Sequence, residues 1–148
     1  MTKQRLIIFG DHKMNDQWEN MAKGDSSIII CQSFPELHHY RHTGSSVIYF
    51  KTNTREAVKT AMRFKVNGFR VIKFWTGTDV LNLGVLSTLK RMISIFLMNQ
   101  LIDYHLTSAS WLSLELEEFS IPSEPCPSPT PLYYPAEKAN WEELTARW

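Results

Sequence analysis

Glycine is scarce in this chain, six in 148 residues, and only Gly10 stands in the turn "GDHKMND" that closes the first apolar run. A dinucleotide fingerprint needs a glycine-rich turn there, because the backbone must approach a pyrophosphate closely. NAD-type binding is therefore not expected. Cysteine is scarcer still: Cys31 and Cys126 lie far apart and match no metal-ligand spacing, which reads as two reduced thiols in a cytoplasmic protein. No charge of one sign dominates, since sixteen Lys and Arg face fifteen Asp and Glu and are scattered along the chain. That balance excludes general electrostatic binding to nucleic acid. Long apolar runs are missing too. The start "MTKQRLIIFGDHK" holds only about five apolar residues before charge returns, too few for a signal peptide or a membrane span.

Two further chemistries lack their signatures. A serine hydrolase elbow would place Ser between flanking glycines on a strand-turn-helix, and no such motif occurs. His38, His39 and His42 cluster in an irregular stretch with no nearby cysteine or ligand pattern, so they read as solvated loop histidines, and no metal site is expected.

What is present is an alternation of strands and helices. "RLIIFG" (Arg5 to Gly10), "SSIIICQS", "SSVIYFK" and "RVIKFW" are short β-branched or aromatic runs, as strands covered on both faces should be. "NDQWENMAKG" reads as a short helix, and "FPELHHYRHTG" as a loop with about one helical turn. In "TNTREAVKTAMRFKVNGF", Asn53 and Glu56 have capping-box spacing, Ala57, Ala61 and Phe64 make a stripe, and Asn67-Gly68 supplies a left-handed stop. Val85, Leu89, Met92, Ile93 and Phe96 stand at helical offsets and predict one long helix from Leu83 to Asn99. That helix is apolar enough to lie in a core or against a partner, and too short to cross a bilayer. "YHLTSAS" is a fifth, more polar strand, and Ser110 can cap a helix "WLSLELEEFS". The proline-rich run "IPSEPCPSPTPLYYP" must be extended, as an edge strand or linker but never a central strand. The expected organisation is an α/β domain over residues 1–121, an extended segment over 122–135 and a short helix or tail over 136–148.

Such alternation predicts a doubly wound, mostly parallel, Rossmann-like sheet with helices on both faces, in a single domain. In these sheets ligands bind outside the carboxyl ends of the strands, where strand order reverses. The stretches to watch are therefore 10–16, 51–53, 76–79 and 107–110. Within "KFWTGTDVLN", Gly77 permits a tight turn and Asp79 offers a carboxylate at the rim; spacing alone favours Asp79 as a cap for the following turn. Trp75 and Trp111 fall near the same rim, as packing residues or as platforms for a sugar or base.

Taken together, "VIKFWTGTDVL", "IDYHLTSASWLSLELEEFSI" and the proline-rich run ending in "PLYYP" resemble the N-terminal, acceptor-side domain of retaining-type glycosyltransferases built from two facing Rossmann-like domains. In that family a strand commonly ends in an aromatic residue or His followed by Gly-Ser/Thr-Asp, matched here by Trp75, Gly77, Thr78 and Asp79. A later strand leads into a serine, Trp-Leu and Glu-Leu pattern, matched by Ser108, Ser110, Trp111, Leu112, Glu115 and Leu116. The family's glycine-rich first loop is replaced by "GDHKMND". Its donor-binding C-terminal domain, with paired glutamates, has no counterpart before Trp148.

The resemblance thus implies an acceptor-side half that needs a donor-binding domain or subunit, with a sugar-containing acceptor and no cofactor of its own. A sugar nucleotide is implied only for the complete enzyme. Alone, the half is expected to be inactive or very weak, because transfer needs donor and acceptor held in one dry cleft. Gly10, Asp11, Lys13, Asn15, Thr52, Trp75, Gly77, Thr78, Asp79, Ser108 and Ser110 would line the ligand crevice. Asp79 would bind an acceptor hydroxyl or orient its loop, and no catalytic residue is assigned. A peripheral contact with a membrane surface is a further expected partnership. The alternative is a non-catalytic Rossmann-like module that binds a protein or a small molecule.

Overall fold

In a computed structural model, residues 5–10, 28–40 and 45–126 are described. They form a six-stranded, wholly parallel sheet in the order β2-β1-β3-β4-β5-β6. The strands are β1 Leu6–Phe9, β2 Ile28–Cys31, β3 Ser46–Tyr49, β4 Arg70–Trp75, β5 Tyr104–Thr107 and β6 Glu124–Pro125. Five helices connect them: α1 Phe34–His38, α2 Thr54–Val66, α3 Gly77–Gly84, α4 Thr88–Leu101 and α5 Ser110–Glu118. This is the α/β, Rossmann-like, single-domain arrangement that the alternating pattern predicts. The short helix read over "NDQWENMAKG" and the tail helix over 136–148 lie outside the described residues.

Side-chain alternation sorts the strands into two faces. Ile7, Phe9, Val47, Tyr49, Val71 and Trp75 join one core with residues of all five helices, including Leu37, Phe64, Leu83, Met98 and Leu112. Ile8, Ile48 and Phe74 form a smaller cluster on the opposite face, against Leu6, Ile28, Ile30, Phe50, Ile72, Leu106 and Cys126. The described helices therefore all serve one face. Three phenylalanines tie that face together, with Phe9, Phe34 and Phe64 at ring-centroid separations of 5.0 to 5.5 Å.

Local signals explain the helix boundaries. Asn53 accepts from the Glu56 amide at 3.2 Å to open α2, and Gly68, at φ +85°, closes it while Phe69 N–H reaches the Phe64 carbonyl at 3.1 Å. α5 stops in the same way through Ser120 at φ 59°, with Ile121 N–H bonded to the Leu116 carbonyl at 2.9 Å. Ser110 is the first residue of α5 rather than its cap, which is Ala109.

The long helix predicted from Leu83 to Asn99 is instead two helices. α3 begins earlier, at Gly77, because the Asp79 carboxylate reaches back to Thr76; it ends at Gly84, and Ser87, extended at φ −59° and ψ 153°, starts α4 afresh. Among the described residues, the proline-rich run enters the sheet as the two-residue edge strand β6, where a missing amide proton costs least.

Candidate functional site

Strand order reverses between β1 and β3, so the crevice of such a sheet opens above the carboxyl ends of these strands and continues along β4 and β5. The loops concerned are Gly10 after β1, 51–53 after β3, 76–79 after β4 and 108–110 after β5. Asp11, Lys13 and Asn15, expected in the same crevice, lie outside the described residues.

Beneath the loops runs a polar row. Parallel register places Tyr49, Lys73 and His105 side by side across β3, β4 and β5, and all three are buried. Lys73 Nζ donates to Asp79 Oδ2 at 2.8 Å and to the Lys51 carbonyl at 2.9 Å, and it sits 4.4 Å from the Trp75 ring centroid. Burial lowers the Lys73 pKa from the usual lysine value, and the Asp79 carboxylate opposes that shift. Tyr49 donates to the Ala57 carbonyl at 2.8 Å; burial raises its phenol well above the usual range, with Asp79 adding to the effect. His105 Nδ1 accepts from Trp75 Nε1 at 3.0 Å, so the ring proton of the neutral imidazole is on Nε2, which is buried without a partner. Burial, aided by the nearby Lys73, pushes the His105 pKa down to about 4.

Asp79 is only 1% exposed. Besides Lys73 it accepts from the Thr76 amide at 3.3 Å and the Thr76 hydroxyl at 2.9 Å, which is the carboxylate arm of a capping box. Its oxygens face inward, and it orients the loop rather than presenting charge to solvent. Trp75 is likewise sealed at 1% exposure. Thr78 is exposed, and Thr76 and Gly77 are half-buried above this buried layer.

The loop after β3 is held from three sides. Lys73 takes the Lys51 carbonyl, Asn82 Nδ2 donates to the Thr52 carbonyl at 2.9 Å, and Asn53 caps α2. Thr52 itself is exposed at the rim. The loop after β5 is tied to β4, since Ser108 N–H donates to the Trp75 carbonyl at 3.2 Å. Ser108 is half-buried and Ser110 exposed. In the first turn of α5, Trp111 is 42% exposed and leans on Gly77: a Cβ added there would lie 3.7 Å from Trp111 Cη2. Of the two rim tryptophans, Trp75 is core and Trp111 is the accessible one. The structure thus brings Gly77, Thr78, Ser108 and Ser110 to one rim beside Trp111, with Gly10 and Thr52 in the loops that follow β1 and β3.

The main site elements that sequence reasoning passed over are Lys73 and His105. Parity offered a signal for Lys73: in "RVIKFW" it shares a face with Val71 and Trp75, so a strand that buries them must bury the lysine too and give it a partner. His105 gave no comparable signal, because its Trp75 partner comes from another strand.

No group of three metal-ligating side chains occurs among the described residues; His38 and His39 are exposed, and His42 lies outside them. No described helix is long and apolar enough to cross a membrane. The Cys31 thiol is buried and pushed up to about 11, mainly by burial, which makes it a poor nucleophile. A cleft of about 390 Å³ lies away from the rim, between the second half of α5 and the turn 120–123. Compared with known proteins, the chain matches no family model, no curated protein and no solved structure.

Proposed function

We propose that the chain is the acceptor-side half of a glycosyltransferase, working with a donor-binding domain or subunit that supplies the sugar nucleotide. One observation carries this reading: the two segments that resemble the family, Trp75–Asp79 and Ser108–Leu116, meet in space through Gly77 and Trp111 at the carboxyl ends of adjacent parallel strands. Ligands of parallel sheets bind at that edge. The rim also has what a sugar needs, with the hydroxyls of Thr78, Ser108 and Ser110 beside the half-exposed indole of Trp111. The Trp111 indole lies over Gly77, at a distance where an added Cβ would make ordinary van der Waals contact with it. Asp79 contributes by fixing the loop, not by touching the acceptor. Transfer chemistry would require the donor half, so the chain alone binds without turning over.

The test is ligand-observed and amide NMR on the chain with a panel of methyl glycosides and, separately, UDP- and GDP-sugars. Glycosides should perturb the Gly77 amide and the Trp111 indole, and Trp111→Ala should remove the effect without lowering the melting temperature appreciably. Tight binding of a nucleotide sugar by the isolated chain, or glycosides that leave these signals unmoved, would overturn the assignment.

A further inference from the structure

Helix α4 is apolar on two sides. One side, with Met98 and the partly buried Ile95, Leu97 and Leu101, packs into the core, and α4 lies against α2. The other carries Leu89, Met92, Ile93 and Phe96 at helical spacing, and these are between 51 and 69% exposed. A helix with apolar residues all round normally has both sides covered. The neighbouring α2 extends the patch. Its positions 55, 59, 62 and 66 fall on one stripe, which adds exposed Met62 and Val66 to the apolar surface and Arg55 and Lys59 to its border.

The charges bordering this patch are mostly basic. From Val80 to Ile102 the sequence contains no Asp or Glu. Lys90 is exposed on α4, and Arg55 and Lys59 are exposed on α2. Lys59 has only a loose 3.9 Å pairing with Glu56, itself on another side of the helix. Arg91 turns inward instead, donating to the Gly84 carbonyl at 3.4 Å. Two copies meeting through this face would set Arg55, Lys59 and Lys90 of each against those of the other, which opposes self-association. A basic border around an exposed apolar stripe suits an anionic lipid surface, into which the apolar residues sink while the cations stay among the headgroups.

We propose that the α2–α4 face is a membrane-interfacial surface that seats this domain on an anionic bilayer. Leu89, Met92, Ile93 and Phe96 enter the acyl boundary, and Arg55, Lys59 and Lys90 hold the headgroups. This does not depend on the rim reading, because no residue is shared between the two surfaces.

The experiment is co-sedimentation of the full chain with vesicles of phosphatidylcholine alone and of phosphatidylcholine mixed with phosphatidylglycerol, at low and high salt. Binding should require the anionic lipid and weaken with salt. Each of Arg55→Gln and Lys90→Gln should weaken it by about fivefold, corresponding to about 1 kcal/mol per cation near the surface. Ile93→Asp and Phe96→Asp should each reduce it at least tenfold, whereas Leu114→Asp, an equally exposed site on α5, should bind like the parent. Circular dichroism and thermal melting verify folding, and Phe96→Ser serves if an aspartate variant unfolds. Equal binding to neutral vesicles, no binding to either kind, or a dimer in sedimentation equilibrium that Phe96→Asp dissolves would each refute the proposal.

Discussion

Two lysine–aspartate pairs stand at opposite ends of the same sheet, with nearly equal distances and very different surroundings. Lys73–Asp79, at 2.8 Å, lies at the carboxyl end with both side chains 1% exposed; Lys65–Asp103, at 2.7 Å, lies at the amino end with side chains 39% and 31% exposed. In water the attraction is screened and offset by side-chain entropy. In the interior, both charges have lost their hydration, and each depends on the other and on extra hydrogen bonds to remain there. The distance is therefore a poor guide to energy. The buried pair makes its site all-or-none, since losing either member leaves a charge with nowhere to go, while the exposed pair can be lost at little cost.

The largest expected effect comes from breaking the buried pair. Lys73→Met should destabilise the domain by about 3–5 kcal/mol in urea melts, because it strands the Asp79 charge. The double variant with Asp79→Asn should recover much of that loss. If Lys73→Met alone proves neutral, the interior at this point is wetter than the geometry indicates. Asp79→Asn and Asp79→Ala separate charge from capping: Asn retains an acceptor for Thr76, so a gap between the two variants measures the cap.

The pH dependence of the same polar row ranks next. The His105 value falls from an ordinary 6.5 to about 4 in the folded chain. The unfolded chain then binds a proton that the folded chain refuses, so stability is full above pH 6.5 and declines as pH drops toward 4. The loss should total about 3 kcal/mol and be absent in His105→Gln, which keeps an acceptor for Trp75. An identical acid decline in His105→Gln would assign it to other groups.

At the amino end the effects should be smaller. Asp103 also accepts from the Val71 amide at 2.7 Å, so Asp103→Ala should cost about 1–2 kcal/mol by leaving that amide unpaired. Lys65→Ala should cost less than about 1 kcal/mol, and raising the salt should shrink it further. Should Lys65→Ala match Lys73→Met, burial is not what separates the two pairs.

Legibility in the sequence followed the range of the interactions. "RVIKFW" was readable as a strand over the same six residues, and Asn53 and Gly68 marked the ends of α2, because caps and left-handed stops act over three or four residues. The break between α3 and α4 was not readable from hydrophobic spacing alone. Leu83, Val85, Leu86 and Leu89 continue an apolar pattern through Gly84 and Ser87, and spacing does not register a backbone restart. At the rim, proximity to the ends of β4 and β5 was foreseeable for Thr78, Ser108 and Ser110. The different fates of Trp75 and Trp111 were not, since Trp75 is sealed against a partner imidazole from β5 while Trp111 stays 42% exposed in the first turn of α5.

By itself the sequence determined the α/β class, the parallel sheet and the loops that reach its carboxyl edge, because periodicity, caps and turn residues are local and repeat along the chain. Only the tertiary structure decided that Asp79 turns inward to Lys73, that Trp111 rather than Trp75 remains accessible, and that no described residue buries the outer side of α4. Each of these is set by which strands and helices become neighbours, a long-range outcome that no single segment encodes.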